Sequence, residues 1–203
     1  LIRRLLYVAC NESGEVIFSD ADAHVVAIAS RHNPCRVSVV AGKWDEPGAA
    51  EQGKLRHPAG VAVLSVVPTR EEYLYIADAG NDLVRVVTGI ESSVKKHKVE
   101  TLQLGGVRSL KPRALAAFSA RAAFYLAYVN YETNDVHLVH LEASGAAKFK
   151  KGRYLGRVPF LELQRPTDVA WHSGLRRLLV VDVNGVLHAD VGRLYNDDDD
   201  DGD

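Results

Sequence analysis

The chain has 203 residues, of which 47% are hydrophobic and 25% charged, the balance of one globular domain or at most two small ones. No apolar run approaches the roughly 20 residues of a membrane-spanning helix, and two cysteines exclude a disulfide-built scaffold or a cysteine-rich zinc module. The net charge of −1 hides an asymmetry: six Asp fill the last seven positions (Asp197–Asp201 and Asp203), and the body without them carries +5, too weak for a composition built around nucleic acid.

The chain is rich in Val, 27 in all, a β-branched residue that favours strands. Short apolar runs alternate with Gly, Pro, Asn and Asp clusters, and no run of 10–12 residues keeps a helical period, which is an all-β pattern. The expected strands, in chain order, are Leu5–Ala9, Glu15–Ser19, His24–Ala29, Arg36–Ala41, Gly60–Leu64, Tyr73–Ala77, Leu83–Val87, Val99–Leu104, Ala114–Phe118, Ala123–Val129, Val136–Leu141, Arg153–Val158, Asp168–Trp171, Arg177–Val181 and Val186–Asp190.

These strands repeat in fours. His57-Pro58-Ala59-Gly60-Val61-Ala62-Val63 aligns with Lys111-Pro112-Arg113-Ala114-Leu115-Ala116-Ala117 and with Arg165-Pro166-Thr167-Asp168-Val169-Ala170-Trp171. Pro58, Pro112 and Pro166 are 54 residues apart, and a second marker, Asp78, Asn130 and Asp182, recurs at 52. Phe18-Ser19-Asp20 is an earlier copy of that second marker. A four-stranded unit in tandem is a propeller blade, because one blade cannot cover its own faces and must stack on neighbours.

The second unit reads Leu55-Arg56-His57-Pro58-Ala59-Gly60-Val61-Ala62-Val63, then Tyr73-Leu74-Tyr75-Ile76-Ala77-Asp78-Ala79-Gly80-Asn81, then Leu83-Val84-Arg85-Val86-Val87. It resembles an NHL repeat over about 45 residues. The other units depart from the pattern: the first lacks the proline, the third has Asn130 for Asp, and the fourth shortens its turn to Asn184-Gly185. The expected fold is all-β, about four four-stranded NHL-like blades over residues 1–195, followed by a disordered acidic tail over 196–203. The first proline falls at or before Leu1 and the last blade's fourth strand falls on the Asp run, so a part of a larger propeller is expected.

Asp20, Asp78, Asn81, Asn130 and Asp182 read as structural markers with Pro58, Pro112 and Pro166. A residue repeated in every blade serves the repeat, and Asp at a strand end caps the following turn. The eight His form no HExxH or Cys-paired zinc spacing, and no nucleophile or phosphate-loop motif is present. No catalytic residue, metal or cofactor is therefore expected. Cys10 and Cys35 read as free thiols, and Asn11-Glu12-Ser13 matches a glycosylation sequon that carries no weight by itself.

Placing the loops on a propeller gathers Lys95, Lys96, Lys98, Lys148, Lys150, Lys151, Arg153, Arg176 and Arg177 on one face, and the acidic b–c turns on the other. The expected function is a non-catalytic protein–protein interaction or scaffold module that docks acidic partners on the basic face. RNA binding, which the NHL resemblance implies, is a weaker alternative because base stacking needs exposed aromatics and only 7% of residues are aromatic. A metal-dependent propeller lyase or hydrolase is a further alternative, by analogy of fold. Compartment and oligomeric state are left open.

Overall fold

The computed structural model describes residues 2–33, 36–49, 53–67, 69–90, 97–105, 107, 110–143, 145, 148–160 and 163–190. They form an all-β propeller of four sheets, each built on an antiparallel meander. Blade 1 holds β1 (Leu5–Cys10), β2 (Val16–Asp20), β3 (Val25–Ala29) and β4 (Val37–Gly42). Blade 2 holds β5 (Pro58–Val66), β6 (Glu71–Asp78), β7 (Leu83–Thr88) and β8 (Lys98–Thr101). The chain then makes a two-residue strand, β9 (Gln103–Leu104), which pairs in parallel with the outer edge of the next blade. Blade 3 is β10 (Pro112–Ala120), β11 (Ala123–Asn130), β12 (Asp135–Leu141) and β13 (Lys151–Arg157). Blade 4 shows β14 (Asp168–His172), β15 (Arg177–Asp182) and β16 (Gly185–Asp190).

Every expected strand is present within a few residues of its expected bounds, except that the expected strand Val99–Leu104 is divided into β8 and the separate strand β9. Two residues are too few to show an alternating pattern, and a parallel partner in another blade leaves no local trace. The Asp-rich segment 196–203, Lys95, Lys96 and Cys35 lie outside the described residues, as does any fourth strand of blade 4.

Period-two alternation builds the core. In β6, Tyr73, Tyr75 and Ala77 face blade 3, while Leu74 and Ile76 face blade 1. In β11, Leu126 and Tyr128 face blade 2, and Tyr125, Ala127 and Val129 face blade 4. Blades 2 and 3 thus bury both faces, at about 1.5–3 kcal/mol for each large apolar side chain. Gly60 permits the closest approach: a Cβ there would sit 2.7 Å from the Ala114 Cα on β10. The terminal blades differ. Val8 is 65% exposed on one side of blade 1 and Val186 66% exposed on one side of blade 4, so each end blade leaves one apolar face uncovered by the described residues.

Blade 2 also encloses an ion pair. Asp78 and Arg85 are buried and meet at 3.3 Å. Arg85 also donates to the carbonyls of Lys54 and Glu100, and Asn81 donates to Asp78 at 2.9 Å. These bonds satisfy a charge that would otherwise be costly to bury.

Candidate functional site

The inner strands of all four blades surround an axial cavity of about 970 Å³ that opens on the face of the b–c and d–a loops. Its polar lining comes chiefly from residues that enter each inner strand: Arg4 and Tyr7 in blade 1, His57 in blade 2, Arg113 in blade 3, and Arg165 and Thr167 in blade 4.

The repeated carboxylates hold these entries in place. Asp20 accepts from the backbone N–H of Arg3 (2.6 Å) and Arg4 (3.0 Å), and from Ala23 in its own turn. Asp78 accepts from the N–H of Arg56 at 2.8 Å. Asp182 accepts from Gln164, Arg165 and Asn184. One side chain therefore ties the end of strand b both to its own turn and to the chain entering strand a. Burial acts against the charge on Asp20 and Asp182, but the backbone donors outweigh it and hold both carboxyls below the usual range. At Asp78 burial wins and the carboxyl is raised. Asn130 takes only the local half of the task, accepting from Glu132 and Thr133. Asp20, Asp78 and Asp182 are all buried. They lend no charge to the surface of a face expected to be acidic.

Tyr7 occupies the axis. Its side chain packs against all three apolar clusters, and its hydroxyl donates to the Thr167 carbonyl at 2.6 Å, joining blade 1 to blade 4. Burial raises its phenol above the ordinary value; the neighbouring Arg113 guanidinium opposes this, and the negative charge of Asp168 adds to it. Asp168 is itself raised, because the loss of surrounding water outweighs the bond it accepts from the Val169 N–H. Tyr7 and Arg113 thus line the cavity together, and Asp168 follows Thr167, the residue whose carbonyl Tyr7 bonds, at the start of β14. Nearby, the His57 N–H donates to His24 Nδ1 at 3.2 Å, and the two rings stack edge to face. Burial and the neighbouring His57 lower His24, which keeps Nδ1 free to accept.

None of Tyr7, Arg113, Asp168 or Arg165 was singled out from sequence. The available signal was a basic residue beside each repeat proline, in Arg56-His57-Pro58, Lys111-Pro112-Arg113 and Arg165-Pro166. The residues that were singled out for the basic face are spread and partly neutralised. Lys148 pairs with Glu71 at 2.6 Å, while Lys150 and Lys98 share Glu100. Lys151, Arg153 and Arg176 are exposed, and Arg177 is half-buried. Cys10 is an exposed free thiol. The sequon residue Asn11 is buried, with its amide bonded on both sides to Glu15, so its nitrogen is already committed.

Among the described residues no three His, Cys, Asp or Glu side chains converge as a metal site. No helix among these residues is long and apolar enough to cross a membrane.

No protein-family model matches the sequence, and no curated protein does. Solved structures match in fold. The nidogen/laminin complex aligns with a TM-score of 0.61 at 16% identity, over 93% of this chain and 61% of that one. A putative gluconolactonase gives 0.56 at 16% identity, over 89% and 56%. A streptogramin B lyase gives 0.52 at 11%, over 92% and 54%. The chain thus spans about three-fifths or less of the length of these propellers, consistent with its two uncovered end faces. The comparison also corrects the expected function. Enzymes named lactonase and lyase share this architecture, so the step from propeller blades to a non-catalytic interaction or scaffold module, and to no enzyme, fails. That step relied on the lack of a linear catalytic motif, and a site assembled from the inner strands of different blades leaves none.

Proposed function

We propose that the axial cavity is a catalytic site and that the chain is the core of a bond-cleaving propeller, a hydrolase or lyase acting on an ester or lactone. The carrying observation is a cavity lined by Tyr7, Arg113 and Thr167 from three different blades, with Asp168 next to Thr167 at the start of β14. In the hydrolytic form, Asp168 takes a proton from water as the water oxygen bonds to the carbonyl carbon. The charge that develops on the carbonyl oxygen faces the Arg113 guanidinium, a donor fixed before the reaction begins. As the C–O bond breaks, the proton held by Asp168 passes to the departing oxygen, while Tyr7, whose hydroxyl is committed to the Thr167 carbonyl, fixes blade 4 beside the cavity. A raised carboxyl suits this task, because a stronger base abstracts the proton more readily. The neighbours named lactonase and lyase support this reading as precedents of fold. We further infer that the blades are NHL-type repeats. The Pro58-Ala59-Gly60 pattern supports this, with Gly60 against β10 and Asp78 holding Arg56.

The test is proton release from a panel of lactones and aryl esters. Turnover by the native chain is expected to fall by about 10²–10³ in Asp168→Asn and in Arg113→Gln. Absence of turnover across the panel, or full activity in both variants, would overturn the reading.

A further inference from the structure

We infer that the mouth of the axial cavity recognises a carboxylate on the substrate through a cationic rim that the blade repeat itself constructs; this rests on the catalytic reading of the same cavity. The reasoning starts from what the repeat carboxylates bind. Asp20 and Asp182 lie close to Arg4 and Arg165 in space, yet their oxygens are taken by backbone N–H groups. The backbone of each arginine is fixed while its guanidinium is left uncommitted by that carboxylate. Arg4 makes a long contact of 3.5 Å with exposed Asp22. Arg165 makes no ion pair among the described residues, and both line the cavity.

Blade 3 supplies the contrast. Its marker is Asn130, whose side chain bonds its own turn and makes no bond to the entering chain among the described residues, and the basic residue there, Lys111, is paired with Asp82 at 2.6 Å. The cation offered to the cavity from this blade is instead Arg113, one residue past the proline. Three guanidinium groups from three blades therefore border one cavity. Arg113 faces the reacting centre beside Tyr7, whereas Arg165 stands at the entrance to β14. A guanidinium fork matches a carboxylate in both geometry and charge. The division of labour follows: Arg113 serves the developing oxyanion, and Arg165, assisted by Arg4, holds a second anionic group that the substrate already carries.

The experiment compares 4-nitrophenyl succinate, which has a free carboxylate, with its neutral methyl ester, and measures succinate and succinamide binding by calorimetry. The native chain is expected to favour the acid over the neutral ester by about tenfold in kcat/KM, a preference that weakens with salt. Arg165→Gln is expected to erase that preference through KM and to abolish succinate binding without lowering Tm. Lys151→Gln, outside the cavity, keeps both. Equal turnover of the two esters by the native chain, or an unchanged preference in Arg165→Gln, would overturn the inference. If neither ester is turned over, the catalytic reading fails and calorimetry alone decides. Salt-sensitive succinate binding lost in Arg165→Gln supports the rim, and no binding, or equal binding by native and variant chains, refutes it.

Discussion

Replacing Arg85 with Met tests the logic of the blade 2 interior. Arg85 is 2% exposed and stands 3.3 Å from the fully buried Asp78 carboxylate. Met keeps most of the length but removes the charge and the bonds to the Lys54 and Glu100 carbonyls. Breaking a buried pair from one side costs about 3–5 kcal/mol, because the remaining charge is stranded. The pH dependence sharpens the test. Burial already raises the Asp78 carboxyl in the native fold, against the bonds from Arg56, Asn81 and Arg85. A carboxyl raised on folding binds its proton more tightly in the folded chain. Its favourable contribution is full below the unfolded value of about 3.9 and is lost as pH rises through the folded value. Removing Arg85 raises the folded value further. The deficit of Arg85→Met relative to the native chain should therefore be largest at pH 7 and smaller near pH 4.5. Urea unfolding followed by Trp44 and Trp171 fluorescence measures it. The double variant Asp78→Asn, Arg85→Met should recover part of the loss, since no charge is then left buried. A deficit below about 1 kcal/mol at pH 7, or one equal at both pH values with no recovery in the double variant, would refute the reasoning.

Gly60→Ala places a methyl 2.7 Å from the Ala114 Cα and should cost about 1–3 kcal/mol as the blades are forced apart; thermal unfolding measures it. Tyr7→Phe removes the 2.6 Å bond to the Thr167 carbonyl, and about 1 kcal/mol of stability should go with it, along with much of any ester turnover. Ala122→Gly in the tight β10–β11 turn, where Arg121 and Ala122 both adopt positive φ (48° and 61°), should stabilise by about 0.5–1 kcal/mol, because glycine accepts that conformation without the Cβ penalty. Ester turnover should fall with acidity as Asp168 takes up a proton, and because burial raises that carboxyl the fall should begin above the pH expected of an ordinary aspartate; a pH–rate profile of the native chain checks this.

The blades were legible because their chemistry is local. A strand advertises itself through alternation, and Pro58, Pro112 and Pro166 at equal spacing announce a tandem unit. The parallel pairing of Gln103–Leu104, which the sequence placed at the end of one strand Val99–Leu104, was not legible, since its partner is the distant edge β13. Counting charges by loop does not show their partners: Asp20, Asp78 and Asp182, read as turn caps, are buried acceptors, and Lys98, Lys148 and Lys150 are paired with Glu71 and Glu100. The site itself was hidden because its members lie far apart in the chain. Tyr7 and Thr167 are separated by 160 residues, and only the turn of the blades about the axis brings them together.

The same geometry explains how a structural repeat can carry chemistry. A carboxylate used in every blade would ordinarily neutralise any arginine beside it, and a channel built that way would be electrically silent. Here the carboxylates of Asp20 and Asp182 are saturated by backbone N–H groups, donors that are obligatory partners wherever the chain is buried. The arginines next to them gain fixed positions without losing their charge. Asp78 shows the opposite arrangement within the same repeat. There the arginine, Arg85, lies on strand c inside the blade, and pairing consumes its charge. Position in the blade separates the two uses here: Arg85 on strand c is enclosed and pairs with the marker, whereas Arg4 and Arg165 at the entry to strand a line the cavity, and Arg3, one residue earlier, pairs with Asp45.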